Sequence, residues 1–147
     1  MGLPPALANL ENVVLKACSE EQEWPAQVAA GIYAGVDYAI AHPGVTDSLL
    51  GDHGNPADNT KLYESVIGRL AGFLRVQAPV DQRLPGSTDE ALVAGVVGLV
   101  GDHLRIGRVD RLIELRPDLV LLTLLPYLGF SEAQQWANDV ARSWPGY

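Results

Sequence analysis

Two consecutive apolar helices, predicted between Ser87 and Gly129, constrain the fold of this chain more than any other feature. The first reads STDEALVAGVVGLVGDHLRIG and the second reads RPDLVLLTLLPYLG. A helix in a globular protein usually has one apolar stripe, and a helix that is apolar nearly all round must be covered on both sides. Because a chain of 147 residues has few other elements to cover them, we predict that a second copy does so. The pattern therefore favours a dimer built on helices.

Glycines inside the first of these helices support the same prediction. Gly95, Gly98 and Gly101 each cost about 1 kcal/mol relative to alanine in a helix interior, so close approach of another helix is expected as compensation. That helix belongs either to a second copy or to the same subunit. A similar pair, Gly31 and Gly35, is expected to pack within one subunit. The residues that we predict at the dimer interface are Ala94, Gly95, Val97, Gly98, Gly101, Leu119, Leu122 and Pro126.

The rest of the chain also has helical periodicity, and strand signals are almost absent. We therefore predict an all-α fold of seven or eight helices in one domain, residues 1–147. Serines that precede Glu90 and Gln134 by three residues, Ser87 and Ser131, predict two capping boxes. The predicted helices begin at Pro4-Pro5 and then cover Pro25–His42, Val45–Leu50 (one or two turns), Pro56–Ala78 with Asn55 as its cap, Ser87–Gly107, Val109–Leu115, Pro117–Gly129 and a last one from Ser131.

Composition excludes several classes of partner and compartment. Ten basic residues face eighteen acidic ones, a formal net charge of −8. DNA binding needs a basic surface, and anionic membranes attract basic segments, so neither partner is expected. The amino terminus lacks the features of a signal peptide, and no run has the length of a membrane span. We predict a cytoplasmic protein, in which the single cysteine, Cys18, is a small buried apolar group.

The sequence contains no convincing catalytic or metal-binding pattern. Two of the three histidines follow an aspartate, at Asp52-His53 and Asp102-His103, but neighbours on a helix point in different directions and do not form a dyad. No nucleophile elbow and no phosphate loop is present. We predict no catalytic residue, no metal, no cofactor and no enzymatic activity.

A ligand cavity is a better candidate site. Pockets are mostly apolar with a few fixed polar groups, and aromatic and polar residues of this kind recur on the predicted helices. The alternative is that these aromatics belong to the core and these charges to the solvated surface. The predicted pocket residues are Trp24, Tyr33, Asp37, Tyr38, Tyr63, Arg69, Phe73 and His103.

From Trp24 to Gly129 the chain resembles the carboxy-terminal effector-binding and dimerisation domain of TetR-type transcriptional regulators. The matching features, in order, are Trp24 at a helix start, AHP at positions 41–43 closing that helix, EALV at 90–93, RIG at 105–107 and LLPYLG at 124–129. The resemblance implies that the helices at 87–107 and 117–129 form an intersubunit four-helix bundle. It also implies a ligand cavity between the helices at 25–42, 56–78 and 87–107.

The resemblance does not extend to DNA binding. TetR regulators begin with a helix-turn-helix domain, whereas residues 1–23 are too short for one and are acidic. Either the chain is a fragment of a longer regulator or it is a free-standing sensor. The leading interpretation is a dimeric domain that binds a small apolar effector. The alternatives are an interaction module without ligand, such as a heterodimerisation partner of a full-length regulator, and a small helical enzyme.

Overall fold

The computed structural model describes residues 5–44, 56–84 and 87–145, and the regular structure in these ranges is entirely helical. The prediction of an all-α fold is confirmed. The short helix predicted at Val45–Leu50, the Asn55 cap and His53 lie outside the described residues. The six α-helices of the described ranges are α1 (Pro5–Ser19), α2 (Trp24–Ala41), α3 (Pro56–Gln77), α4 (Thr88–Arg105), α5 (Val109–Leu128) and α6 (Phe130–Ser143), with a 3-10 turn, Val80–Gln82, between α3 and α4.

Prolines and glycines set most helix ends where the sequence predicts them. Pro25 lies in the first turn of α2, where its missing N–H would have had no helical partner. The same helix ends at Ala41, with His42 as its C-cap, because Pro43 disfavours helical backbone at the residue that precedes it. Gly107 and Gly129 follow α4 and α5 with φ of 74° and 82°, a left-handed conformation that glycine adopts without steric cost.

The prediction of a helix break before Pro117 is wrong, because α5 continues through Pro117. Proline lacks the N–H that would bond the carbonyl four residues earlier, here that of Ile113. The Nε atom of Arg116 donates to this Ile113 oxygen at 3.2 Å, which replaces the lost bond. The two helices predicted at 109–115 and 117–129 are therefore one, which leaves six α-helices in the described ranges.

Neither predicted capping box forms. Ser87 occupies the N-cap position of α4 but makes no side-chain hydrogen bond to the helix. At α6 the N-cap is Gly129 and the helix begins at Phe130, so Ser131 lies inside the first turn. At α6 the reason is that Gly129 is both the C-cap of α5 and the N-cap of α6, so it is the one residue between the two helices.

Helices α2 and α5 form the centre of the fold. Helix α2 packs against α1, α5 and α6, while α5 packs against α2, α4 and α6, and α3 packs against α4. The largest buried cluster joins α2, α5 and α6 around Tyr33, Leu124 and Ala133, all fully buried. Smaller clusters join α1 to α3 through Leu7 and Val66.

Glycines on α2 allow α1 to approach it closely. A Cβ atom on Gly31 would lie 2.9 Å from Cys18 Sγ, and one on Gly35 would lie 3.3 Å from Val14 Cγ2. Both contacts are tighter than side chains ordinarily accept. The prediction that this pair packs within one subunit is confirmed.

Candidate ligand groove and exposed helix face

A long apolar groove runs along α2, between α1 on one side and α3 and α4 on the other. Its volume is about 170 Å³ and it is partly open to solvent. Helix α1 forms one wall, α3 and α4 form the opposite wall, and α5 contributes one residue. The lining residues are Leu10, Val14, Cys18, Trp24, Gln27, Val28, Gly31, Ile32, Gly35, Val36, Ala39, Leu70, Phe73, Leu74, Val93, Val96, Val97, Val100, Gly101 and Thr123.

The polar groups of this lining are already bonded to backbone carbonyls. Trp24 Nε1 donates to Leu74 O at 3.3 Å and Thr123 Oγ1 donates to Leu119 O at 2.9 Å. Gln27 Nε2 donates to Glu21 O at 3.1 Å. None of the lining residues is charged, so the groove offers its occupant apolar contact rather than hydrogen bonds.

Cys18 lies in the wall of the groove as a protonated thiol. Its Sγ atom is 3.2 Å from Gln27 O, to which the S–H donates, and the residue is 3% exposed. Burial raises the pKa of the thiol to about 11, since a thiolate would be poorly solvated there. Because the thiolate is the reactive form, Cys18 serves as an apolar contact, as the sequence predicts.

Two of the eight predicted pocket residues, Trp24 and Phe73, line the groove. Trp24 is 6% exposed and its ring meets that of Tyr127 edge-on, with centroids 5.0 Å apart. This contact and the bond to Leu74 O hold the indole in one orientation. The prediction that these residues bind a ligand stays a prediction.

Tyr33 and Asp37, although predicted in the pocket, lie on the opposite side of α2 in a partly buried polar cluster. Asp37 accepts hydrogen bonds from Arg116 Nη1 at 2.5 Å and from Trp144 Nε1 at 3.0 Å. The Arg116 guanidinium lies 4.8 Å from the centre of the Tyr33 ring. These contacts join α2 and α5 to the end of α6. The sequence did not indicate this because Arg116 and Trp144 are far from Asp37 along the chain.

The other four predicted pocket residues lie outside the groove. The Tyr38 ring stacks on His42 with centroids 4.0 Å apart, and Tyr63 packs beside the Leu7 and Val66 cluster.

Arg69 pairs with Glu11 at 2.7 Å on the surface, and this pair lowers the pKa of Glu11. His103 Nδ1 lies 2.8 Å from Leu99 O, one turn earlier in α4. Both polar side chains therefore interact at the protein surface, outside the groove.

A second buried network, which the sequence analysis missed, joins α3, α4 and α5. Asp89 is 3% exposed and accepts hydrogen bonds from Arg75 Nη1, at 2.9 Å, and from the Tyr127 hydroxyl. Burial and the neighbouring carboxylate both raise the pKa of Tyr127. The sequence feature that could have indicated this network is an aspartate in the first turn of an otherwise apolar helix. The same feature is explained equally well by a favourable interaction with the helix dipole.

The solvent-facing sides of α4 and α5 carry apolar residues and open glycines. Among the residues that the structure describes, a Cβ atom on Gly95 or Gly98 would meet nothing within 4 Å beyond its own helix. Leu99, Leu122 and Leu125 are 38%, 42% and 38% exposed. The glycines are therefore not explained by packing within the described part of the protomer.

The predicted interface residues divide into an exposed and a buried group. Gly95, Leu122 and Pro126 are exposed, and Ala94 and Gly98 are half-buried. Val97 and Gly101 instead line the groove. Leu119 is 2% exposed and packs with Val36 and Leu112 inside the protomer. Gly101 and Leu119 are buried and have little surface to offer a second copy, and Val97, which is half-buried, faces the groove rather than the outward side of α4.

No protein-family model, no curated protein and no solved structure matches this chain. Among residues 5–44, 56–84 and 87–145, no helix has the length and hydropathy needed to cross a bilayer. Within the same ranges, no three histidine, cysteine or acidic side chains come together as metal ligands would.

Proposed function

We propose that the chain is a sensor and dimerisation domain of the TetR type, which binds a small apolar effector and has no catalytic role. The observation that carries this proposal is the pair of apolar surfaces on α4. Val93, Val96 and Val97 face the groove, whereas Gly95 and Leu99 face outward. One helix could thus contact a ligand on one side and a partner on the other.

The area of the outward surface supports a second copy as that partner. Helix α4 has 18 residues, which corresponds to about 27 Å at 1.5 Å per residue. Two helices packed about 10 Å apart present a face of about 27 Å by 20 Å. Its projected area is roughly 540 Å², about two-thirds of the ~800 Å² of accessible surface per partner that a stable interface buries.

Charge supports a role without nucleic acid. The net charge of −8 would repel phosphate groups, so this chain alone is not proposed to contact DNA. In a sensor of this type, the output passes either to a DNA-binding segment of the same polypeptide or to a partner protein. A ligand changes that output only if its affinity differs between the two conformations.

The second candidate is an interaction module without ligand, and the size of the groove favours it. At about 170 Å³ the groove is smaller than the 300–1,000 Å³ typical of sites for drug-sized ligands. In that case the same outward face would bind a related subunit, and the groove would be a packing defect.

Thermal denaturation with apolar probes separates the two candidates. A ligand that binds only the folded state raises the melting temperature with its concentration. We expect benzene or a short alkanol to do so in the wild-type chain, and to do so less in a Val96→Phe variant that fills the groove. A Val76→Phe variant, altered at a position of α3 that is 68% exposed and lies outside both surfaces of α4, is the control. No stabilisation by any apolar probe would remove the effector from the proposal and leave the interaction module.

A further inference from the structure

The groove is long and narrow. Its wall on α2 includes Trp24, Val28, Gly31, Gly35 and Ala39, which recur every three or four residues on one side of the helix. From Trp24 to Ala39 this is about 22 Å at 1.5 Å per residue. A volume of about 170 Å³ is close to that of an engineered cavity that holds a single benzene ring. The same volume therefore holds roughly six methylene groups in single file, a short chain that occupies part of this length, and it has no room for fused rings.

The chemistry of the lining matches a hydrocarbon chain. The indole N–H of Trp24, the Cys18 thiol and the Thr123 hydroxyl all donate to backbone carbonyls of the protein. A polar or charged group placed deep in the groove would lose its water and find no new partner, which is unfavourable. An alkyl chain loses nothing of this kind and gains apolar contact along its length.

The two ends of the groove differ in access and charge. Ala39 and Gly101, at one end, are buried. Gln27, at the other end, is half-buried and bonds the Glu21 carbonyl at the surface. The connection between α1 and α2 at this end carries exposed Glu20, Glu21 and Glu23. A negatively charged head group would be repelled there, and an uncharged one would not.

We propose that the groove binds a single unbranched alkyl chain with an uncharged head, with the chain along α2 and the head at the Gln27 end. This inference rests on the proposed function, because it specifies the chemical class of the apolar effector. It makes length the main determinant of affinity and head-group charge the second.

A binding series with primary alkanols tests this inference. The probes are 1-butanol, 1-hexanol and 1-octanol, the carboxylates of equal chain length, and pyrene as a rigid polycycle. We expect alkanol affinity to rise about fourfold per added methylene, the ratio that corresponds to ~0.8 kcal/mol, until the chain fills the available volume. Each carboxylate should bind more weakly than the matching alkanol, and by a larger factor at low ionic strength.

Substitutions at the closed end locate the chain. Ala39→Leu, or Val97→Leu if the first variant does not fold, should move the plateau in affinity to shorter alkanols. Ala41→Leu, at an exposed position on the same helix, should leave it unchanged.

Each of the remaining outcomes of the binding series contradicts one part of the inference or of the proposed function. Binding of pyrene without the alkanols, or affinity independent of chain length, would overturn the inference and leave an apolar effector in place. Equal affinity of alkanols and carboxylates would overturn the uncharged head. Binding of no probe would refute the proposed ligand itself.

Discussion

Replacing Gly95 and Gly98 together with alanine should stabilise the single subunit and weaken the proposed dimer. Within the described residues, a Cβ atom at either position meets nothing within 4 Å beyond its own helix. Each substitution therefore gains about 1 kcal/mol of helix propensity without a clash, or about 2 kcal/mol for the pair. For a chain of 147 residues, this corresponds to a rise in the melting temperature of the separated subunit of about 4–8 °C.

The same two methyl groups should obstruct a second copy. Small residues allow helices to approach closely, and extra methylenes in a well-packed contact cost about 1–3 kcal/mol. Two-fold symmetry places each substitution in the interface twice. We therefore expect the dissociation constant of the dimer to rise at least tenfold, a change of ~1.4 kcal/mol or more.

Sedimentation velocity across a dilution series, combined with urea denaturation of the dilute subunit, measures both effects. The matched control is the double variant Gly68→Ala and Gly72→Ala on α3, where an added Cβ also meets nothing within 4 Å in the described structure. This control should gain the same stability and keep the wild-type dissociation constant. Equal dissociation constants in both variants and the wild type would refute the assignment of the α4 glycines to an interface.

Three further perturbations follow from the structure. Leu122→Ala should weaken the dimer about tenfold, because Leu122 is 42% exposed and the remaining leucine surface is worth roughly 0.5–1 kcal/mol in each copy; an unchanged sedimentation profile would contradict this. Asp37→Ala should lower the free energy of unfolding in urea by about 2–3 kcal/mol. This is less than the loss of a fully buried partner of Arg116 would cost, because the Asp37 side chain is 38% exposed. A change in alkanol affinity as large as this loss of stability would instead show that Asp37 belongs to the pocket. The stability contributed by the Cys18 thiol should fall as the pH rises from the ordinary pKa of 9.0 to about 11, because the folded chain keeps a proton that the unfolded chain has already lost. Urea denaturation across this pH range should show this loss of stability in the wild type and not in Cys18→Ala.

Helix boundaries could be read from the sequence wherever one residue decides them locally. Pro25 begins α2 in its first turn, Pro43 ends it, and the glycines after α4 and α5 adopt positive φ. Pro117 was misjudged for a physical reason. Proline breaks a helix by removing one hydrogen bond, and a side chain can replace that bond when it lies within reach. Arg116 does so here, and nothing in the local pattern distinguishes this arginine from a solvated one.

The sequence predicted an apolar groove between helices, but it did not identify most of the residues that line the groove. Apolar helices with small residues indicate grooves and close contacts, and Trp24 and Phe73 do line the groove. Helical periodicity identifies a face of a helix but not the neighbour that the face meets. Tyr33 and Asp37 lie on the side of α2 that meets Arg116 and Trp144, while the small residues Gly31 and Gly35 lie on the groove side. An aromatic residue is thus a weaker indicator of this groove than glycine is.

The solution mass of the folded chain at micromolar concentration shows whether a second copy covers the outward side of α4 and α5. Light scattering of the purified chain, with helix content checked by circular dichroism, should give twice the subunit mass of 15.8 kDa. A fully helical species at the subunit mass would contradict the account, because the leucines and glycines on the outward side of α4 and α5 would then face water without a partner.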